Sequence, residues 1–279
     1  MAKNEVAMAE SFNLISVYSG MQDAEKEEYM DELDDLGGGG IDYRQIKMPT
    51  GKVKSFIVES ENPEDPDTEK ELQGVILFTH LLNARWEGDY SGENRFPVCS
   101  SMDAKTGVCF DSGEMITCDR CPHNQFAERA DGTMGKACKN MRRIYMMLNG
   151  KPQLYLLTVP PTSLKDTQRQ LRRIMSTGKK YTQMVLSFTL TGATSKGGQD
   201  YAKLAISYVG ELTPEQTEMT KAMRAEIRSQ FKNVQITDED YDTGIRSASE
   251  GAADTAPSAS TEGFMNIPDG VDAESLPFN

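Results

Sequence analysis

Residues 183–209 read QMVLSFTLTGATSKGGQDYAKLAISYV, and this stretch decides the fold class. Apolar and polar side chains alternate through 183–191 and again through 201–209, the period of a strand with one buried face. The Gly-rich segment 192–199 between them predicts a long-looped hairpin. Directly after it, Thr213, Pro214 and Gln216 supply an N-cap hydroxyl, a proline at the first helical position and a capping-box partner, so a helix should run to about Phe231.

Outward from the hairpin, a helix is expected over 164–177, after the stop and cap Pro160-Pro161-Thr162-Ser163 and before Gly178. Residues 153–159 and 73–84 read as strands, and 43–48 with 53–59 as a strand pair turned by Pro49-Thr50-Gly51. A polar loop covers 61–66. Residues 21–36 form an acidic helix with few apolar positions, followed by a flexible joint at Gly37 to Gly40. Residues 87–140 have little periodicity and hold all five cysteines. No internal repeat is visible. The expected fold is α+β and mostly β, an antiparallel or small-barrel core with a cysteine-rich insertion and flanking helices. It divides into an acidic helical segment at 1–36, a core at 37–237 with the insertion at about 95–140, and an acidic tail at 238–279.

The 279 residues carry a formal charge of −13, which alone argues against a polyanionic ligand. The charge is concentrated at the ends, however. Residues 1–36 contribute −8 and the tail −9, which leaves the core at +4. Within the core, residues 136–180 hold eleven cations against the single acid Asp166. The tail is rich in Ala, Ser and Gly, so it buries too little apolar surface to offset the entropy of ordering. Its tip, Leu276, Pro277 and Phe278, offers something for a partner protein to grip.

Cys99, Cys118, Cys121 and Cys138 form a C-x18-C-x2-C-x16-C pattern, with Cys109 as a fifth thiol. A C-x2-C pair lets one tight turn supply two corners of a tetrahedron, and two distant cysteines complete it. A structural zinc ion is the expected cofactor, holding together a glycine-rich segment that has few apolar contacts of its own. Cys109 in place of Cys99, or His123 in place of one cysteine, remain alternatives. His80 lies in an apolar run and reads as a hydrogen-bonded core residue.

On the helix 164–177 the apolar residues Leu164, Leu171, Ile174 and Met175 share one face, while Lys165, Arg169, Arg172 and Arg173 share the other. Arg142, Arg143, Lys179 and Lys180 extend this patch, and Tyr145, Tyr155 and Tyr181 are interleaved with it. Cations that track phosphates and rings on which bases stack are what sequence-independent single-strand binding requires.

These parts resemble the single-stranded-DNA-binding proteins of phage and bacterial replication. The acidic tail closing on Leu276, Pro277 and Phe278 is similar to the partner-docking tail of that group, although Asn279 follows the phenylalanine here. Some phage members also carry a zinc-stabilised loop, which Cys99, Cys118, Cys121 and Cys138 match in kind. The resemblance implies an oligonucleotide-binding (OB) barrel that coats single-stranded DNA during replication, recombination or repair. It also implies docking of a polymerase, helicase or primase on the tail.

No apolar run reaches the roughly 20 residues needed to span a bilayer and no secretory leader is apparent, so a soluble, cytoplasmic protein without membrane partners is expected, in the host cytoplasm if viral. Reduced thiols suit that compartment. An enzyme is not expected. The deaminase pairing of His-x-Glu with Pro-Cys-x-x-Cys is absent, the carboxylates Asp103, Asp111 and Asp119 lack metal-hydrolase spacing, and Gly37 to Gly40 lacks the Lys-Ser/Thr of a P-loop. The competing expectation is a zinc-ribbon regulator or adaptor that binds other proteins.

Overall fold

Most apolar runs of the chain lie extended in a computed structural model that describes residues 12–15, 21–35, 42–62, 65–87, 95–128, 134–195, 198, 200–237 and 240. All of these belong to one unit, Met1–Gly244. The elements are α1 (Asp23–Asp35), β1 (Tyr43–Lys47), β2 (Phe56–Val58), β3 (Asp67–Glu69), β4 (Glu71–Arg85), β5 (Cys99–Ser101), β6 (Thr106–Cys109), β7 (Met115–Thr117), β8 (Ala127–Glu128) and β9 (Met134–Gly135). They continue with β10 (Lys139–Leu148), β11 (Leu154–Val159), α2 (Pro161–Met175), β12 (Met184–Thr194), β13 (Asp200–Glu211) and α3 (Pro214–Gln230).

Eleven strands form one sheet in the order β3-β2-β1-β11-β10-β4-β5-β6-β7, with the β12–β13 hairpin joined to β4, while β8 and β9 pair separately. The sheet is mixed, because β1 runs parallel to β11 and the other pairs are antiparallel. It does not close into a barrel, which corrects the barrel expectation. The chain is α+β and mostly strand, but β3 and β7 remain open ends of the path.

Strand β10 is the main addition to the sequence reading, which places no strand between 87 and 153. It is buried from Arg143 to Leu148 and pairs with β4 on one side and β11 on the other. Its side chains divide between two cores. Ile144, Met146 and Leu148 pack with Leu171 of α2, whereas Tyr145 and Met147 pack with Met223 and Ile227 of α3. The sheet therefore carries a helix on each face, and each fully buried Ile, Leu or Met there stabilises the fold by about 1.5–3 kcal/mol.

Local signals explain the helix boundaries. The Thr213–Gln216 capping box forms as expected and α3 ends at Gln230 with Phe231 as its C-cap. Helix α2 begins three residues earlier than expected, with Pro160 as N-cap and Pro161 in the first turn. Proline is compatible with that position because the N–H it lacks would have no partner there. Ser163 is consequently inside the helix, fully buried, and its Oγ accepts from Leu204 N of β13 at 3.2 Å. The joint at Gly37 to Gly40 lies outside the described residues. No described helix is long and apolar enough to cross a membrane.

Candidate nucleic-acid interface and metal centre

The alternation of β10 sends its two adjacent arginines to opposite faces of the sheet. Arg143 points into the α3 side, where its side chain is 1% exposed. There it forms a bidentate pair with Asp240, Nη2 to Oδ2 at 2.6 Å and Nε to Oδ1 at 3.2 Å. It also donates to the carbonyls of Val234 and Gln235 at 2.9 and 2.5 Å, and Thr158 Oγ1 donates to Asp240 Oδ1 at 2.7 Å. Burial opposes the charge on Arg143, but Asp240 more than offsets it and holds the guanidinium above its ordinary range. Arg143 is therefore a structural cation, not a DNA contact. Asp240 belongs to the folded unit, so the tail cannot begin at 238.

Tyr145 and Tyr155 are also removed from the candidate set, because at 0% and 1% exposure no base can stack on them. Tyr145 packs edge-on against Tyr43 with ring centroids 5.0 Å apart and beside His80 at 5.8 Å. The expected core role of His80 holds, since its Nδ1 lies 2.9 Å from the Met102 carbonyl and burial pushes its pKa down to about 4.

The α2 patch survives in part. Lys165, Arg169, Arg172 and Arg173 are exposed, as is Lys180 beyond the helix end. Arg169 pairs with Asp166 at 3.5 Å, Asp166 also binds Lys203, and Lys179 pairs with Glu211. No carboxylate among the described residues lies within ion-pair distance of Lys165, Arg172, Arg173, Lys180 or the half-buried Arg142. On the apolar face Leu171 is buried and Ile174 half-buried as expected, but Met175 is 39% exposed. Tyr181 is half-buried, its hydroxyl accepting from Arg224 Nη1 at 2.5 Å.

Other rings are more accessible than the ones singled out from sequence. Tyr208 is 40% exposed beneath Lys179 Nζ, 5.5 Å from its centroid, and Phe126 is 69% exposed beneath Lys136 Nζ at 5.4 Å. Tyr208 reads as part of an alternating strand and Phe126 belongs to the aperiodic segment, so only their nearness to lysines marks them. Phe96, Val98, Val108, Phe110, Met115 and Ile236 line an open cleft of about 880 Å³ between β5–β7 and residues 232–236.

The cysteines converge from several elements. Cys99 and Cys109 are paired across β5 and β6. Cys118 opens one 3-10 turn and Cys121 joins it to the next, Cys121 N donating to Cys118 O at 3.3 Å. Cys138 N donates to His123 O at 2.8 Å, which draws the fourth thiol to the second turn while the His123 side remains exposed. Asn124 braces the turns, donating to Cys118 O at 2.9 Å and accepting from Asn140 at 2.9 Å. A Cβ on Gly107 would lie 3.3 Å from Cys99 Sγ and 3.6 Å from Cys118 Sγ, so only glycine leaves this space to the two sulfurs.

All five thiols are free. Burial and then Cys109 push the Cys99 thiol up to about 12, and burial and then Cys118 and Cys121 push Cys138 up to about 11. Among the described residues no three His, Cys, Asp or Glu side chains are arranged in ligating geometry. The donor set nevertheless suits a thiophilic divalent cation in kind, since clustered thiols whose ionisation is suppressed by burial and by one another are what such a charge would deprotonate and stabilise. Cys109 sits beside Cys99 and keeps its standing as an alternative ligand, whereas His123 engages Cys138 through its backbone.

Leu276, Pro277 and Phe278 lie outside the described residues. No family model, curated protein or solved structure matches the chain.

Proposed function

We propose that the chain is a non-catalytic single-stranded-DNA-binding protein, acting in the cytoplasm in replication, recombination or repair. The observation that carries this reading is the set of exposed cations on and beside α2, Lys165, Arg172, Arg173 and Lys180, with no carboxylate partner among the described residues. Surface helices usually mix signs and form i,i+4 pairs, so an uncompensated face is a footprint for a polyanion. Arg142 adds a fifth unpaired cation from the sheet. Tyr208 replaces Tyr145 and Tyr155 as the ring offered to bases, because it is exposed and lies beside the cationic helix end.

Cys99, Cys118, Cys121 and Cys138 would hold a structural zinc ion, whose divalent charge would tie the two 3-10 turns to β5 and to the segment leading into β10. The acidic chain beyond Gly244, ending in Leu276, Pro277 and Phe278, would serve as the partner-docking segment for a polymerase, helicase or primase. It would also compete with DNA for the cationic face.

Fluorescence titration with oligo-dT at low salt tests the reading, comparing the wild type with Arg172→Glu/Arg173→Glu. Strong loss of affinity in the double variant is expected. Absence of binding by the wild type would sink the proposal. Unchanged binding in the variant would remove α2 from it.

The adaptor reading is favoured by one observation, the apolar cleft with Phe96 63% and Phe110 59% exposed. Exposed large apolar side chains grouped in a cleft mark protein contact more often than bulk surface.

A further inference from the structure

The sheet splits at β4. Strand β12 pairs with residues 71–74 of it and β5 with residues 83–85, so no described strand pairs with residues 75–82 on that side. Strand edges left open in this way need other partners for their backbone groups. Leu77 is the extra residue of a β-bulge, because Tyr145 pairs with Phe78 and Met146 with Ile76. Its carbonyl accepts from Arg224 Nη1 at 2.8 Å. The same guanidinium lies over the rings of Phe78 and Tyr181, 5.7 and 5.3 Å from their centroids.

Arg142 enters the gap from β10. Its Nη1 donates to Thr79 Oγ1 at 3.1 Å, and that hydroxyl gives its own hydrogen to the Arg143 carbonyl at 2.7 Å. Arg142 Nε is buried without a hydrogen-bond partner among the described residues. Burial lowers the Arg142 guanidinium, Tyr181 opposes that, and the nearby charge of Arg172 from α2 adds to it. Arg142 and Arg224 thus flank a notch beside Thr79 and Tyr181, and the charge of Arg172 reaches Arg142 from α2. None has a carboxylate within ion-pair distance among the described residues. Buried N–H donors of a charged group are costly to leave unmade, and an anion with several acceptor oxygens is the complement of such a set.

We propose that this notch is a phosphate-binding site, in which Arg142 and Arg172 donate to phosphate oxygens and Arg224 fixes Tyr181 at its rim. The inference deepens the nucleic-acid reading and rests on it for the source of the phosphate, the backbone of a single strand. A free phosphate or a nucleotide carries the same chemistry. Arg224 and Thr79 are new to the site.

The test compares full-length wild type, Arg142→Gln and Arg172→Gln. Arg172 is exposed, so that variant folds even if the first does not. Inorganic phosphate is titrated against sodium chloride at equal ionic strength while the thermal midpoint is followed, and oligo-dT binding is measured on the same proteins. Phosphate stabilises most proteins by exclusion from their surface, so the difference between proteins is the readout. Each variant should lose about tenfold in apparent phosphate affinity, as expected for removal of a charge-assisted donor. Equal phosphate responses in all three proteins overturn the notch, and if the wild type still binds oligo-dT the DNA reading stands without it. A response that depends on Arg142 or Arg172, in a protein that does not bind oligo-dT, supports the notch with free phosphate or nucleotide as its ligand and removes the DNA reading. Parallel losses for phosphate and oligo-dT support the notch with the DNA backbone as its occupant.

Discussion

Replacing Asp240 with alanine would leave the Arg143 guanidinium buried without its counter-charge. The two side chains are 1% and 5% exposed and meet in a fork, with 2.6 and 3.2 Å bonds. Removing one partner of such a pair costs about 3–5 kcal/mol, since the remaining charge keeps its desolvation penalty. Asp240→Ala also leaves Thr158 Oγ1 and Thr237 N without their acceptor, so the upper part of that range is expected. For a domain of roughly 200 residues this lowers the thermal midpoint by about 10 °C. The assay is thermal and urea unfolding of the full chain beside Glu218→Ala. Glu218 is 73% exposed and among the described residues pairs with Lys221 alone, so its loss should cost less than about 0.5 kcal/mol. Two truncations extend the test. Ending the chain after Gly244 should keep the full midpoint, whereas ending it after Thr237 should reproduce the Asp240→Ala loss. Equal stability of the two truncations would refute the reasoning. The consequence is practical, because deleting 238–279 confounds any effect of the tail on DNA binding with destabilisation of the core. Only a cut after Gly244 isolates the tail.

The remaining predictions concern separate parts of the molecule. Metal analysis of protein purified under reducing conditions should find about one zinc per chain, and Gly107→Val, which crowds Cys99 and Cys118, should reduce it. Full zinc content in that variant would move the site away from Gly107. His80 is held neutral, with a pKa near 4 against an ordinary 6.5, so the unfolded chain binds more protons between those values. Its contribution is therefore complete above about pH 6.5 and is lost progressively as pH falls toward 4. Urea midpoints at pH 5 and 7 should differ more in the wild type than in His80→Gln, and equal differences would show that other groups set the slope. Truncation after Gly244 should tighten oligo-dT binding at low salt if the acidic chain competes for the cationic face; an unchanged affinity would leave docking as its only role.

Legibility varied with how local each signal was. The Thr213–Gln216 capping box and the alternation of 183–191 with 201–209 act within a few residues, and α3 and the β12–β13 hairpin formed there, but the strands run on past the alternation: Gly192, Ala193 and Thr194 pair with Ala202, Tyr201 and Asp200, which shortens the loop expected over 192–199. Strand β10 was hidden because Arg142 and Arg143 interrupt its apolar run with charge. The pairing of one of them with Asp240, 97 residues away, is what lets that charge be buried. The same long-range contact moved the start of the tail. Tyr145 and Tyr155 looked like stacking rings because they lie among cations in sequence, but adjacent strand residues point to opposite faces and both rings turned inward. The open sheet was equally unreadable, since β1 pairs with β11 across more than a hundred residues. For the site, the helical period placed the α2 cations correctly. Arg224 and Thr79 join Arg142 only through a gap in the sheet, which has no local signature.

The most direct measurement of the central claim is the salt dependence of oligo-dT binding to the chain ending at Gly244. If Lys165, Arg172, Arg173, Lys180 and Arg142 meet phosphates, the logarithm of the binding constant should fall with the logarithm of salt concentration with a slope of about −3.5, and Arg172→Gln should make it shallower by about 0.7. No binding at low salt, or a slope near zero that Arg172→Gln leaves unchanged, would contradict the account.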